Sequence, residues 1–292
     1  MRIGIIGMGL MGTSMAMALK KSFENVYIYG QDKDASHLDY VLNENIIDEK
    51  LQSKNSWELN ILFLAVPVKK TIEVLDAVVP DLDLEKVLVT DMGSTKAYIC
   101  KEIKRKYPFL DFIGGHPMTG LEISGPEAAS PELFTNRTYI LIEPDDYSEN
   151  RIEAKKKLLI ELLLKLGADI ILMDPEKHDE LTAVTSHLPH FVAATFMKEV
   201  LDAEKKHPEL PKLMGQGFRD FTRIAGSNPD VWKDIFLTNR RYLIDKANNL
   251  IDHIIAFRDI IASEDEQKIR EFLISTSRKR TSLKKKLKEV ND

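Results

Sequence analysis

The chain has 292 residues, of which 43% are hydrophobic and 30% charged. That is enough apolar material to bury cores in about two domains, which excludes a disordered chain, a collagen-like repeat and a disulfide-stapled scaffold. Lys and Arg number 41 against 46 Asp and Glu, a net charge of −5, so no nucleic-acid partner is expected, because phosphate neutralisation needs excess cation.

The first apolar run, residues 3–19, follows Arg2 and loosely mimics a secretory leader, but Gly4, Gly7, Gly9 and Gly12 interrupt it. No other stretch approaches the ~20 apolar residues of a membrane span. A single cysteine, Cys100, cannot form an internal disulfide and suits a reducing cytoplasm. The expectation is a cytoplasmic protein with no membrane partner. Strands are predicted at 3–6, 26–29, 61–65, 87–90, 112–114, 139–142 and 170–173, and helices at 10–21, 71–79, 96–106 and 151–166. Strands alternating with helices imply βαβ units and a largely parallel sheet, and the run ILFLAV suits a strand covered on both faces. After Met173 the pattern changes. Asp174-Pro175-Glu176 and Asn228-Pro229-Asp230 read as helix starts, and no strand pattern follows. The fold class is therefore α/β plus all-α: a Rossmann-type domain over 1–173, then a helical domain over 174–292. The apolar faces of 193–201 and 243–261 exceed what one small bundle covers, which predicts a homodimer through the helical half. The basic stretch 278–288 reads as a solvated terminal helix.

Residues 7–12, GMGLMG, form GxGxxG between a strand and a helix. Gly7 permits the tight turn, Gly9 lets backbone approach a pyrophosphate, and Gly12 lets helix and strand pack closely, with Leu10 and Met11 at the helix N-terminus that faces the phosphates. Asp32 lies 20 residues after Gly12, where a carboxylate binds the adenosine ribose and repels a 2′-phosphate. NAD is thus expected over NADP, although Lys33 is adjacent. Val66 and Pro67 end another strand and join the expected cofactor site. On position alone Ser94 reads first as the cap of a helix starting at Thr95. His116, in the glycine-rich segment GGHPMTG after a strand, is placed for proton transfer near a bound nucleotide. His187 and His190 share a helix face beside Pro189, but without a third ligand they predict no metal. Arg219 and Arg223, four apart, can present guanidinium forks to a carboxylate.

Together GMGLMG, TDMGSTK, GGHPMTGLEISGPEAA, TSHLPH and GFRDFTRIAGSNPDVW resemble the prephenate/arogenate dehydrogenase family of tyrosine biosynthesis. The resemblance implies a nicotinamide-cofactor domain, a helical dimerisation domain, and NAD-dependent oxidative decarboxylation of prephenate to 4-hydroxyphenylpyruvate. It implies that His116 is the catalytic histidine and Ser94 its hydrogen-bonding serine, so that Ser94 does more than cap. It implies that Arg223 holds the ring carboxylate, that His187 lines the substrate pocket, and that Glu122 and Trp232 stand at or near it. Leu121 departs from the threonine common in the family. No regulatory domain or fused chorismate mutase is expected in a chain of this length. Arogenate stays open as the substrate. Two other readings are a different Rossmann-plus-helical hydroxyacid dehydrogenase, whose GxxGxxxK lysine motif is absent, and a nucleotide sensor without chemistry.

Overall fold

The computed structural model describes residues 1–121, 123–143 and 150–291, and the chain divides into two compact units, Met1–Arg240 and Arg241–Asp292. In the first unit, β1 (Arg2–Ile6), β2 (Tyr27–Gln31), β3 (Glu49–Lys50), β4 (Ile61–Leu64), β5 (Leu88–Asp91) and β6 (Phe112–Ile113) form one sheet in the order β3-β2-β1-β4-β5-β6. Every neighbouring pair is parallel. The connections carry α1 (Leu10–Ser22), α2 (Ala35–Asn43), α3 (Ser53–Ser56), α4 (Thr71–Val78) and α5 (Ala97–Lys106). Chain order reverses at β1, which opens a crevice at the carboxyl ends of β1 and β4, where such sheets take ligands.

The period of two along β4 shows why this sheet needs cover on both sides. Ile61 and Phe63 enter one apolar cluster with Ile3, Met15 and Ile28, while Leu62 and Leu64 enter the other with Ile6, Leu75 and Ile99. Each such side chain, fully buried, contributes about 1.5–3 kcal/mol. The expected strands are present with ends shifted by one or two residues. Two more strands carry no apolar pattern: the two-residue edge strand β3, and β7 (Gly115–Pro117).

β7 begins a second, three-stranded sheet with β8 (Thr138–Ile142) and β9 (Asp169–Met173), β7 antiparallel and β9 parallel to β8. His116 therefore lies on a strand, opposite Ile140, and not in the loop the glycines suggest. Gly115 explains the placement, since a β-carbon there would lie 2.5 Å from the Asp91 carbonyl oxygen and 3.0 Å from Tyr139. Only glycine lets β7 come this close to the end of β5. Between β8 and β9, α6 (Asn150–Lys165) sets Leu159, Leu162 and Leu163 into the core at helical spacing.

The remainder of the first unit is helical: α7 (Pro175–Thr182), α8 (Leu188–Glu204), α9 (Gln216–Thr222) and α10 (Pro229–Thr238). Asp174 caps α7 by accepting from the Lys177 N–H at 2.8 Å, and Asn228 caps α10 by accepting from the Asp230 and Val231 N–H groups. Pro189 does not interrupt a regular helix: a π-turn over Ala183–His187 precedes it and joins α7 to α8. The second unit holds α11 (Arg240–Ala262) from its second residue onward and α12 (Glu266–Asn291), with Phe257 stacked on Phe272. No described helix is long and apolar enough to cross a membrane.

Candidate active site

The glycine loop leaves β1 with Gly7 at φ 97°, a conformation L side chains rarely adopt. A β-carbon on Gly12 would lie 1.9 Å from the Gly7 carbonyl oxygen, so this glycine is fixed by helix-to-strand packing. Gly9 differs: a β-carbon there would meet nothing within 4 Å. It faces open space at the N-terminus of α1, where no side chain among the described residues caps the free N–H groups. That cradle fits a pyrophosphate, because the helix dipole and unpaired donors favour an anion and the missing side chain admits it. Asp32 follows β2, its carboxylate accepting from the Met8 N–H at 2.6 Å and the Asp34 N–H at 2.8 Å, with His37 Nδ1 at 3.7 Å. Those donors hold an acceptor at the crevice edge. Leu10 and Met11 open α1 half-buried, and Val66 and exposed Pro67 follow β4 on the other side of the crevice.

His116 is nearly buried, and its Nδ1 meets His178 Nε2 at 2.8 Å. His178 Nδ1 in turn lies 2.7 Å from Asp179 Oδ1. The same carboxylate accepts from the Lys96 N–H at 2.7 Å and the Ala97 N–H at 3.0 Å, the first donors of α5. The cap of this helix is thus Asp179, from a distant helix, and not Ser94. The helix itself begins at Ala97, two residues beyond Thr95. Burial first, then His178, Lys96 and His187, keep the His116 pKa well below its ordinary value of 6.5. The imidazole is neutral at neutral pH, and its Nε2 makes no hydrogen bond among the described residues.

Lys96 is also fully buried. Its ammonium pairs with Asp91 and donates to the Gly115 carbonyl at 2.6 Å, while Asp91 accepts from the Gly115 N–H at 3.0 Å and the Gly93 N–H at 2.9 Å. This clamp ties the end of β5 to β7 and fixes the backbone on which His116 rides. Ser94 lies half-buried within the same turn and makes no hydrogen bond to His116 among the described residues. The hydrogen-bond partner of His116 among the described residues is His178.

His187 is buried at the end of the π-turn. Asn239 Nδ2 reaches both the Asp179 carbonyl at 2.7 Å and His187 Nδ1 at 2.9 Å, so His187 Nδ1 accepts and its Nε2 carries the proton. That Nε2 is buried without a hydrogen-bond partner among the described residues. Burial lowers the His187 pKa to about 4, with the Asp179 charge opposing the shift. Trp232 of α10 meets His187 edge-on and stacks on His190, which contacts Ser227 Oγ at 3.1 Å. The structure thus brings His187, His190 and Trp232 together as a wall. Arg223 begins a 3₁₀ turn after α9 and is exposed, as is Arg219, which donates to the Met214 carbonyl at 3.2 Å. Glu122 lies outside the described residues, and Leu121 before it is 54% exposed.

Sequence reading missed His178, Asp179, Asp91, Lys96 and Asn239. A signal for two of them existed. His178, Asp179, Thr182, Ala183 and His187 all face inward from one side of α7 and the π-turn, so a polar stripe stands where a packed helix would be apolar.

Two family models match the chain: the nucleotide-binding domain of prephenate dehydrogenase over residues 15–172, and the dimerization domain of prephenate dehydrogenase over 174–275. The chain belongs to the prephenate dehydrogenase family. This member is 34% identical to prephenate dehydrogenase of Lactococcus lactis over 274 residues, 93% of this chain and 74% of that protein. It is 32% identical to cyclohexadienyl dehydrogenase of Zymomonas mobilis, covering 97% of this chain and 96% of that one. Among solved structures, prephenate dehydrogenase from Aquifex aeolicus in complex with hydroxyphenyl propionate and NAD+ superposes with a TM-score of 0.85 at 30% identity, covering 97% and 98% of the two chains. The Rossmann-type sheet is therefore the nucleotide-binding domain of a family of oxidoreductases, and the helical part matches its dimerization domain.

Proposed function

We propose that the protein is an NAD-dependent prephenate dehydrogenase that converts prephenate to 4-hydroxyphenylpyruvate and CO2 in tyrosine biosynthesis. The observation that carries this reading is His116: a buried neutral imidazole whose Nε2 makes no hydrogen bond among the described residues, in a family of known dehydrogenases. Prephenate carries a hydroxyl and a carboxylate on opposite carbons of a cyclohexadiene. His116 Nε2 accepts the hydroxyl proton as hydride leaves that carbon. NAD, when bound, supplies the hydride acceptor; Gly7, Gly9, Leu10, Met11, Gly12, Asp32, Val66 and Pro67 would hold it, and the Asp32 carboxylate favours it over NADP. The ring–CO2 bond then breaks, its electron pair runs through the ring to the former hydroxyl oxygen, and that oxygen recovers the proton from His116. Aromatisation drives the step, so positioning is the protein's main task. Ser94 contacts the reacting hydroxyl, Arg223 binds the ring carboxylate, and His187, Trp232 and Glu122 surround the rest of the substrate.

The proposed domains are 1–173 and 174–292, a boundary supported by family models that end at 172 and restart at 174. The proposed assembly is a cytoplasmic homodimer. The dimerization-domain match and the exposed Ile244, Ile251, Ile254 and Ile261 of α11 support the dimer, and the lone Cys100 supports the compartment. Mixing the protein with NAD and prephenate should raise absorbance from NADH. Turnover of arogenate alone would replace the substrate, and turnover of neither would overturn the reading.

A further inference from the structure

We propose that His178 and Asp179 fix the tautomer of His116, leaving its Nε2 lone pair free to act as the base. This rests on the role of His116 given above. The inference follows from donor and acceptor counting along one buried line. Asp179 is 1% exposed and takes two backbone N–H groups of α5 at 2.7 and 3.0 Å, besides facing His178 Nδ1 at 2.7 Å. Both oxygens of Asp179 thus already accept backbone N–H groups, Oδ1 from Lys96 and Oδ2 from Ala97, so the carboxylate faces His178 as an acceptor. His178 Nδ1 must therefore carry a proton and donate it. The acceptor role is assigned to the other nitrogen, Nε2. It lies 2.8 Å from His116 Nδ1, which must therefore be the protonated nitrogen of His116. What remains on His116 is an unprotonated Nε2, the form a base needs.

The same line stabilises the reacting state. When Nε2 takes the substrate proton, the imidazolium still donates Nδ1–H to His178, and His178 donates to the Asp179 charge. A buried cation is costly unless hydrogen-bonded, so this line lowers the barrier as the charge forms. The other charged or titratable groups around His116 are Lys96, which pairs with Asp91, and His187 of the π-turn. Lys96 opposes the imidazolium, which leaves Asp179 as the compensating charge not already paired with a lysine. Ser94 makes no contact that could do the same work among the described residues. His178 and Asp179 are positioning residues: they act through His116 and not on the substrate.

Two substitutions separate this role from simple packing. His178→Phe keeps an aromatic ring and leaves the Asp179 cap of α5 in place, but offers His116 no acceptor. His178→Gln can place Oε1 where Nε2 stood and accept from His116 Nδ1, though the link to Asp179 is lost. His178→Phe should lower kcat about 10²- to 10⁴-fold, the range for losing a general base or its tautomer, with KM for prephenate moving only a few-fold. His178→Gln should recover at least a tenfold part of that loss. In the unmodified protein labelled with ¹⁵N-histidine, NMR should show one imidazole, absent from His116→Asn, protonated at Nδ1 and bare at Nε2. Full kcat in His178→Phe, equal kcat in the Phe and Gln variants, or a proton on His116 Nε2 would each overturn the proposal. The NMR reading needs no turnover, so it decides the tautomer even where His178→Phe fails to fold. If unmodified protein turns over no prephenate, the reading of function fails while the tautomer is still measured.

Discussion

The glycine loop and the histidine cluster both flank the strands of the first unit, yet they are built in opposite ways. The loop is one contiguous stretch, residues 7–12, whose function lies in backbone: a turn at Gly7, an open face at Gly9, a close approach at Gly12. The cluster is assembled from side chains of β7, α7, the π-turn and the segment after α10, separated by up to 62 residues between His116 and His178 alone. Backbone sites of the first kind are robust to their surroundings. Side-chain sites of the second kind depend on partners that no local pattern announces.

The largest effect expected from either region is at His116, the proposed base. His116→Asn should lower kcat about 10²- to 10⁴-fold in steady-state assays while KM for prephenate changes little, because the residue acts mainly as the proton leaves. A variant with full turnover would dissolve the distinction, since the cluster would then carry no chemistry. Arg223→Ala should separate binding from chemistry within the second region. Loss of a charge-assisted carboxylate contact, worth about 1.5–3 kcal/mol, should raise KM for prephenate roughly 10- to 150-fold. A fall in kcat at unchanged KM would move Arg223 from binding to the reaction itself.

The glycine loop gives the smallest effects and the sharpest contrast within one motif. Gly12→Ala forces a β-carbon against the Gly7 carbonyl and should cost about 1–3 kcal/mol in chemical denaturation. Gly9→Ala has open space and should leave stability within about 0.5 kcal/mol, while raising KM for NAD. Equal stability losses at both glycines would mean that Gly9 is a packing glycine too.

The same contrast explains what could be read from residues alone. GMGLMG, ILFLAV and the DPE helix start were legible because each is a local pattern with one physical reading. The Rossmann sheet, its helices and the helical half followed from them. β3 was not, because a two-residue edge strand, Glu49–Lys50, has no periodicity to show. β7 was not, because GGHP looks like a turn until Gly115 is seen to let the strand approach Asp91. His116 and His187 stood out as histidines in unusual contexts. His178 and Asp179 did not, since DPEKHDEL has the cap, the acids and the charge of a solvated helix. Only long-range burial turns that face inward. Asp91 and Lys96 likewise read as a polar strand end, and their mutual neutralisation inside the protein is a tertiary fact.

The central claim is that a buried, neutral His116 is the base, and the pH dependence of kcat/KM for prephenate tests it most directly, because this quantity reports ionisations of the free enzyme. His116 must be unprotonated to accept, so activity rises with pH through its ionisation and then stays level. Because burial keeps its pKa well below 6.5, that rise should be complete before neutral pH, and kcat/KM should be flat from about pH 6.5 to 8. His187, with its pKa lowered to about 4, can add a second ionisation to the same acid limb. His116→Asn should lose one ionisation from that limb together with most of its turnover. An acid limb centred near or above pH 6.5, or a limb unchanged in a variant that keeps full turnover, would contradict the account.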